Sequence, residues 1–451
     1  MRDPGLHEDA EQVVHAHEQA DDVFAVDDSL AVRTVLSYSY DALPSNMSDT
    51  FRALGLHPGG PIRVEAASAL MGQAPSQAEG HLLALAAVHL LEQTGQDGFV
   101  MHDLVHSYAL ELARERNTPE DNKAALERLV DWYLCTGAAA TRLLWPSRPR
   151  RRLNLPERGL TTLSFRGTKD ALKWFEDELR LLVRLVRCGA QWNITSVAYL
   201  PVVINEMLFH RRAWSWWVPA LHDALAMARQ GEHRDAEAWM LETLGDAGID
   251  AGTAETSVGL YQEAMTIRAG LGDRRGLAIG HVGLGRAFCQ VGDYDASFAH
   301  CETAQAISAE VGDVWQHSVA TAHLAMARAA LGAVGEAREL LLETREVLDD
   351  AEDFMSSGCA SGLLAGLAES EGEHELALRH LHDALETFGR VGDVWSQAHI
   401  HSRVGDLQAD LGNQQAAHRA WSSAADLLTG NTEPTATQLR EQMINSLSEE
   451  S

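Results

Sequence analysis

The chain has 451 residues, long enough for two or three domains with their own cores. At 45% hydrophobic and 22% charged it has an ordinary globular composition, and a formal net charge of −29 excludes broad binding to nucleic acid or to an anionic membrane. The five cysteines are scattered with no C-x-x-C pair, so neither a structural zinc site nor a disulfide framework is expected; Cys289 and Cys301 are expected to be small core residues. Asp3 and Glu8 stand where a signal peptide would begin, and no apolar run reaches the about 18 residues of a membrane span. The expected location is cytoplasmic, with no membrane partner.

Residues 1–29 are acidic and weakly periodic and read as the tail of a preceding segment. From Ala31 a helix is predicted, with Val32, Val35, Leu36 and Tyr40 on one face, ending at Asp41-Ala42-Leu43-Pro44. Ser45 is placed as the cap of a second helix carrying Met47, Phe51, Leu54 and Leu56. The run His57-Pro58-Gly59-Gly60-Pro61 is a turn that no regular element crosses. Two apolar helices follow, roughly 62–71 and 76–91. A short β-hairpin is predicted over Gln93–Val100 and a further helix over His102–Arg114. Several helices and then a hairpin outline a winged helix over 30–116.

Residues 117–230 read as a helical connecting region. Leu126, Leu129, Val130, Tyr133 and Leu134 form one apolar stripe, and Trp174, Phe175, Leu179, Leu182, Val183 and Val186 another. Between them Pro146–Pro156 carries Arg148, Arg150, Arg151 and Arg152, a basic loop read as a solvated linker. Trp214, Trp216 and Trp217 are expected to pack against the first layers of the repeating segment that begins at residue 231.

Over 231–430 the chain repeats itself. Gly252, Gly292, Gly332, Gly372 and Gly412 stand 40 residues apart. Eight residues before them stand Leu244, Leu284, Leu324, Leu364 and Val404, each followed by a glycine or alanine. Gly272-Asp273, Gly312-Asp313 and Gly392-Asp393 form a second punctuation, with Glu352-Asp353 in the third copy. A fixed period with several matched columns is the signature of a solenoid. The turn glycines are predicted to adopt the left-handed conformation that ends a helix, and the small column to mark close helix approach. Residues 431–451 are polar and are expected to be a disordered tail. The fold class is therefore mostly all-α: a winged helix with a short hairpin, a helical connection and an α-solenoid.

The repeat columns (a Leu-Gly pair, a turn glycine and two alanine positions) resemble the tetratricopeptide pattern, although the period exceeds the roughly 34 residues usual for that unit. The run Val35-Leu36-Ser37-Tyr38-Ser39-Tyr40-Asp41-Ala42-Leu43-Pro44, with Phe51-Arg52-Ala53-Leu54-Gly55-Leu56-His57-Pro58-Gly59, resembles the winged-helix module of NB-ARC-type STAND proteins. Met101-His102-Asp103 matches that module's MHD signature. In this order the pieces resemble the C-terminal part of actinobacterial AfsR-type regulators, over roughly residues 20–430. The resemblance implies that residues 1–29 are the remnant of an ATPase-associated segment. It also implies that His102, with Asp103 beside it, contacts ADP held by an NB-ARC ATPase. No G-x-x-x-x-G-K-[ST] occurs in the sequence, so ADP or ATP is expected only with such a partner in trans, and no cofactor in this chain alone.

Competing site readings are weaker. His102-Asp103-Leu104-Val105-His106 mimics a zinc-protease helix, but Asp is too short for the usual base and no third ligand is apparent, so no metal site is predicted. The pairs His380/His382 and His399/His401 diverge on a helix. Gly280, Gly283 and Gly285 look like a phosphate loop but fall inside a repeat helix, where close packing explains them. No catalytic residues are assigned, and the chain is read as not an enzyme. The concave face of the solenoid is the predicted peptide-binding groove, with Asp246, Asp250, Arg286, Gln290, Glu369, Ser370, Arg403, Asp406 and Asp410 inward. That set is net acidic and suits a basic or amphipathic protein or peptide segment. The leading expectation is a signal-sensing regulator whose winged helix couples partner binding to an NB-ARC switch and transcription. Alternatives are a free-standing repeat scaffold and a DNA-binding winged helix. The last is disfavoured because the recognition segment, taken as Val64–Met71, has no Lys or Arg.

Overall fold

The computed structural model describes residues 33–95, 98–144, 162–211, 214–431 and 434–449. Residues 1–29, the basic loop at 146–156 and part of the hairpin turn lie outside the described residues, as does the Trp216 side chain. The chain forms two compact units; the first runs to Trp132 and the second begins at Tyr133.

The first unit starts with helix α1 (33–41) and α2 (Ser45–Leu54), whose N-cap is Pro44 rather than Ser45. Strand β1 (Ile62–Arg63) leads into α3 (Val64–Met71) and α4 (Pro75–Ala87). Strands β2 (Glu92–Thr94) and β3 (Gly98–Val100) form the hairpin, and α5 (Asp103–Arg116) follows. The sheet is antiparallel with order β1-β3-β2, Ile62 opposite Phe99 and Gln93 opposite Phe99 on its other side. Phe51, Leu54, Ile62, Leu70, Leu82 and Phe99 make its core, each at most 1% exposed. This is the winged-helix topology. It also corrects the recognition segment: residues 62–63 are a strand, so α3 is the first helix of the helix-turn-helix pair and α4 the second. Like Val64–Met71, α4 carries no Lys or Arg.

Helix α6 (Pro119–Leu144) enters the second unit, where α7 (Thr168–Gln191) and a 3-10 turn (Thr195–Ala198) follow. Trp174 packs on Phe175 and Tyr133, and the Tyr133 hydroxyl donates to the buried Glu178 carboxylate at 3.0 Å. Tyr133 of the first stripe thus shares a core with Trp174 and Phe175 of the second, within the second unit. Helices α8 (Tyr199–Arg211) and α9 (Trp214–Gln230) make a hairpin that packs on the first repeat, so the solenoid begins before residue 231.

The five 40-residue repeats are five helix hairpins: α10 (Arg234–Asp250) with α11 (Ala254–Gly270), α12 (Arg274–Val291) with α13 (Tyr294–Glu310), and α14 (Val314–Ala330) with α15 (Val334–Asp350). Then come α16 (Phe354–Ser370) with α17 (His374–Val391), and α18 (Val394–Asp410) with α19 (Gln414–Leu427). The five turn glycines all have positive φ, between +72° and +95°. The small column is enforced by contact: a Cβ on Gly285 would meet Cys301 Sγ at 2.3 Å, and one on Gly405 would meet the Trp421 ring at 2.3 Å. Gly283 likewise lies against Tyr261, so the apparent phosphate loop is a packing device. Between hairpins, Asp273, Asp313, Asp353 and Asp393 cap the next helix, each accepting a backbone N–H with its carboxylate. Both Cys289 and Cys301 are free, with burial raising each thiol's pKa, that of Cys301 to about 12.

The tail departs from expectation. Instead of disorder, helix α20 (Pro434–Glu449) packs on α19, with Ala436 and Met443 buried. Pro434 stands 40 residues after Val394, the start of α18, so α20 occupies the place of the first helix of a sixth copy. Its exposed face is polar, and that polarity made it read as a tail.

The third copy supplies a stability test. Glu352 replaces glycine and holds φ at +55°, a conformation that costs a side chain about 1–2 kcal/mol. Glycine's greater unfolded freedom offsets part of that gain, so Glu352→Gly should stabilise by about 0.5–1 kcal/mol. The denaturant midpoint reads it, and an unchanged or lower midpoint refutes it.

Candidate functional site

The first helices of successive repeats line a lumen of about 1280 Å³. Its walls run from Asn205 on α8 to Thr435 on α20, and α8 also lies against α18, so the superhelix meets itself. The inward stripe follows helix geometry. It uses positions 235, 239, 242–243 and 246 of the first repeat and their equivalents 40 residues on.

Of the predicted groove residues, Asp246, Asp250, Arg286 and Arg403 line the lumen. Gln290, Glu369, Ser370, Asp406 and Asp410 lie outside its lining, although Asp406 shares a repeat position with Asp246 and Gln290, Ser370 and Asp410 share one with Asp250. Several of them brace the structure. Gln290 donates to the Ile249 carbonyl, Ser370 to the Leu367 carbonyl, and Asp406 accepts from Trp421 Nε1 at 2.9 Å. Glu369 pairs with Arg403 at 2.8 Å, while Arg403 also donates to the Gly362 carbonyl at 3.0 Å.

The half nearest the first two repeats is charged. Asp246 accepts from the Tyr261 hydroxyl at 2.7 Å and pairs with Arg286 on the next repeat. Burial works against the Arg286 charge, but Asp246 more than restores it and the guanidinium's pKa is raised. Beside it, burial and the Arg286 charge push His323 down to about 3, so this imidazole is neutral near pH 7. Deeper, Arg268 makes a two-pronged pair with Glu242 at 2.8 and 3.1 Å, a third bond to Asp273 at 3.0 Å, and stacks on Trp239.

The half built from α14, α16 and α18 adds apolar and aromatic side chains to a lining that also includes His323, His399 and Arg403. Trp315, Met355 and Trp395 occupy one position on the first helices of three successive repeats, with Val319, Leu363 and Ile400 further along the same helices. None of these was singled out from sequence. Their only signal is a repeat column that fails to repeat: Asp235, Arg275, Trp315, Met355, Trp395 and Thr435.

In the first unit, His102 is exposed and caps α5, its Nδ1 accepting from Leu104 N at 3.3 Å. Asp103 is the first residue of that helix. His106 Nε2 is 2.7 Å from the His57 carbonyl oxygen, so the two histidines of the zinc-like motif have separate structural duties. Among the described residues no group of three or more His, Cys, Asp or Glu is arranged to hold a metal, and no helix is long and apolar enough to cross a membrane.

Fold and lumen define a tetratricopeptide-repeat protein with a winged-helix module. No family model matches the chain. It is similar to the regulatory protein AfsR of Streptomyces griseus, 25% identical over 458 residues covering 91% of this chain and 45% of that protein. It is also similar to AfsR of Streptomyces coelicolor, at 24% over 343 residues, 57% of this chain and 34% of that protein. The similarity to AfsR-type regulatory proteins thus extends over most of this chain's own length. The chain spans less than half the length of these curated relatives. Among solved structures, a signal transduction ATPase with numerous domains and a tetratricopeptide repeat sensor, from Pyrococcus horikoshii, aligns with 93% of this chain and 62% of its own. The identity is 13% and the TM-score 0.43.

Proposed function

We propose that this chain is a non-enzymatic, signal-sensing regulatory protein. Its repeats bind a protein or peptide, and its winged helix couples that event to an NB-ARC nucleotide switch that controls transcription. The observation that carries the reading is the lumen. At about 1280 Å³ it exceeds the roughly 300–1,000 Å³ of pockets that enclose small molecules, and it mixes aromatic walls with buried charge. A regulator that senses a polypeptide needs such a surface. The lack of basic residues on α4 favours a switch role for the winged helix over reading DNA directly.

The nucleotide link rests on His102. An exposed imidazole at a helix N-terminus is suited to donate from its second nitrogen to a phosphate oxygen. The test supplies the P-loop module of an AfsR-type regulator in trans and measures release of fluorescent ADP. His102→Asn keeps a capping acceptor and should speed release about tenfold, the worth of one charge-assisted hydrogen bond. Release at the unaltered rate removes the nucleotide link. Hydrolysis of ATP by the purified chain alone overturns the non-enzymatic reading.

A further inference from the structure

Five arginines line the lumen, and they differ in how their N–H groups are answered. Arg268 is held by Glu242 and Asp273, and Arg403 by Glu369 and the Gly362 carbonyl. Arg274 and Arg275 pair with Glu310 and Asp313, and at 50% and 49% exposed they have water for their other donors. Arg286 is only 23% exposed. Among the described residues its side chain makes one hydrogen bond, to Asp246, of the five a guanidinium can give. On the next first helix His323 lines the same lumen, close enough for the Arg286 charge to lower its pKa. Among the described residues neither ring nitrogen of His323 has a hydrogen-bond partner. Being neutral, the ring has one nitrogen that donates and one that accepts. Packing does not require an imidazole here, since Leu363 holds the same lumen position in the next copy.

Half-buried donors and acceptors without partners cost free energy that a ligand bonding to them recovers. A peptide bond fits this pair, offering a carbonyl oxygen and an N–H with no net charge. An anion would be drawn to Arg286 but would meet the Asp246 and Asp250 carboxylates, both of which already act on that guanidinium. Arg403 shows the pattern completed within the chain, with one arm on the Glu369 carboxylate and the other on a main-chain carbonyl at 3.0 Å. We propose that Arg286 and His323 form a site for the main chain of a bound peptide. Arg286 donates to a peptide carbonyl, and the bare nitrogen of His323 accepts the neighbouring amide N–H. The peptide's side chains lie along Val282 and Val319, which line the lumen one turn earlier on the same two helices. This rests on the peptide-binding reading above and assigns the residues that hold the ligand's backbone.

The test is calorimetric titration of the full chain with the blocked dipeptide N-acetyl-phenylalanyl-alanine N-methylamide. Its analogue with an ester in place of the central amide lacks that N–H and has a weaker acceptor. The amide should bind about tenfold more tightly than the ester, the worth of one or two neutral hydrogen bonds. In His323→Leu that preference should shrink to within about twofold, with the melting temperature not lowered. Arg286→Lys keeps the charge beside Asp246 without the spare guanidinium N–H groups, and should weaken both probes about fivefold. Equal binding of amide and ester to the unaltered chain overturns the main-chain site and leaves the peptide-binding reading standing. A preference that survives in His323→Leu, or affinity unchanged in Arg286→Lys, overturns the assignment of that residue. Tighter binding of the free acid N-acetyl-phenylalanyl-alanine than of the amide makes this an anion site and overturns the proposal. Binding of no probe to chain that melts normally overturns both the site and the peptide-binding reading.

Discussion

Replacing Arg268 with alanine should cost the solenoid about 3–5 kcal/mol, the usual penalty for leaving a buried charge without its partner. The guanidinium and the Glu242 carboxylate are 3% and 2% exposed, so water cannot take the place of either. Burial opposes the Arg268 charge, but Glu242 and Asp273 outweigh it and raise its pKa; the side chain is charged at every accessible pH. The cluster joins α10 to α11 and, through Asp273, to the cap of α12, so its loss loosens the first two hairpins at once. Repeat proteins unfold in neighbouring blocks, which makes amide exchange over 234–291 a sharper readout than one global midpoint. The expected result is exchange accelerated more than a hundredfold there. The companion variant Arg268→Met with Glu242→Leu removes both charges and should recover most of the loss, because a buried pair is often replaceable by apolar groups of similar size. A double variant as unstable as Arg268→Ala would mean that packing on Trp239, not the unpaired carboxylate, carries the cost.

Arg268 also shows why part of this molecule was legible in the sequence and part was not. Features enforced in every repeat by the same backbone demand stand out: a left-handed turn rejects side chains at Gly252 and its equivalents, and close helix crossing rejects bulk at Gly285 and Gly405. Each constraint recurs every 40 residues and therefore writes a column. The lumen wall faces solvent-sized space and imposes no common size or charge, so Asp235, Arg275, Trp315, Met355 and Trp395 share a position without sharing chemistry. Arg268 belongs to a pair found in one hairpin only, and nothing periodic announces it. The two-residue strand β1 was absorbed into a helix because Ile62 and Arg63 are too few for alternation to show. Helix α20 was hidden by the polar face it keeps opposite Ala436 and Met443.

Gly55→Ala should destabilise the winged-helix unit by about 3 kcal/mol or more, although alanine is by propensity the better helical residue. Gly55 ends α2 with φ −62° and ψ −20°, a right-handed conformation open to any side chain, so the backbone does not require glycine. The neighbour does. A Cβ there would sit 2.4 Å from Ala109 C and Leu110 N and 2.7 Å from the Ala109 carbonyl oxygen, all main-chain atoms in the middle of α5. No rotamer change relieves a clash with helix backbone, so α2 and α5 must separate by most of an ångström. The separation strains a core in which Phe51, Leu54 and Ala109 are fully buried. Gly80, inside α4 of the same unit, is the control: a Cβ there meets nothing within 4 Å. Gly80→Ala should therefore stabilise by about 0.5–1 kcal/mol through helix propensity alone. Opposite signs for one chemical change in one unit, read as near-UV circular dichroism melts or exchange over 33–116, would establish close approach of α2 and α5 as the reason for Gly55. The α2–α5 contact also ties the resemblance-bearing run at Phe51–Gly59 to the helix that begins beside His102. If that contact transmits the switch, an NB-ARC module supplied in trans should lose ADP faster from Gly55→Ala than from Gly80→Ala even below the melting range, and equal rates would confine Gly55 to a packing role.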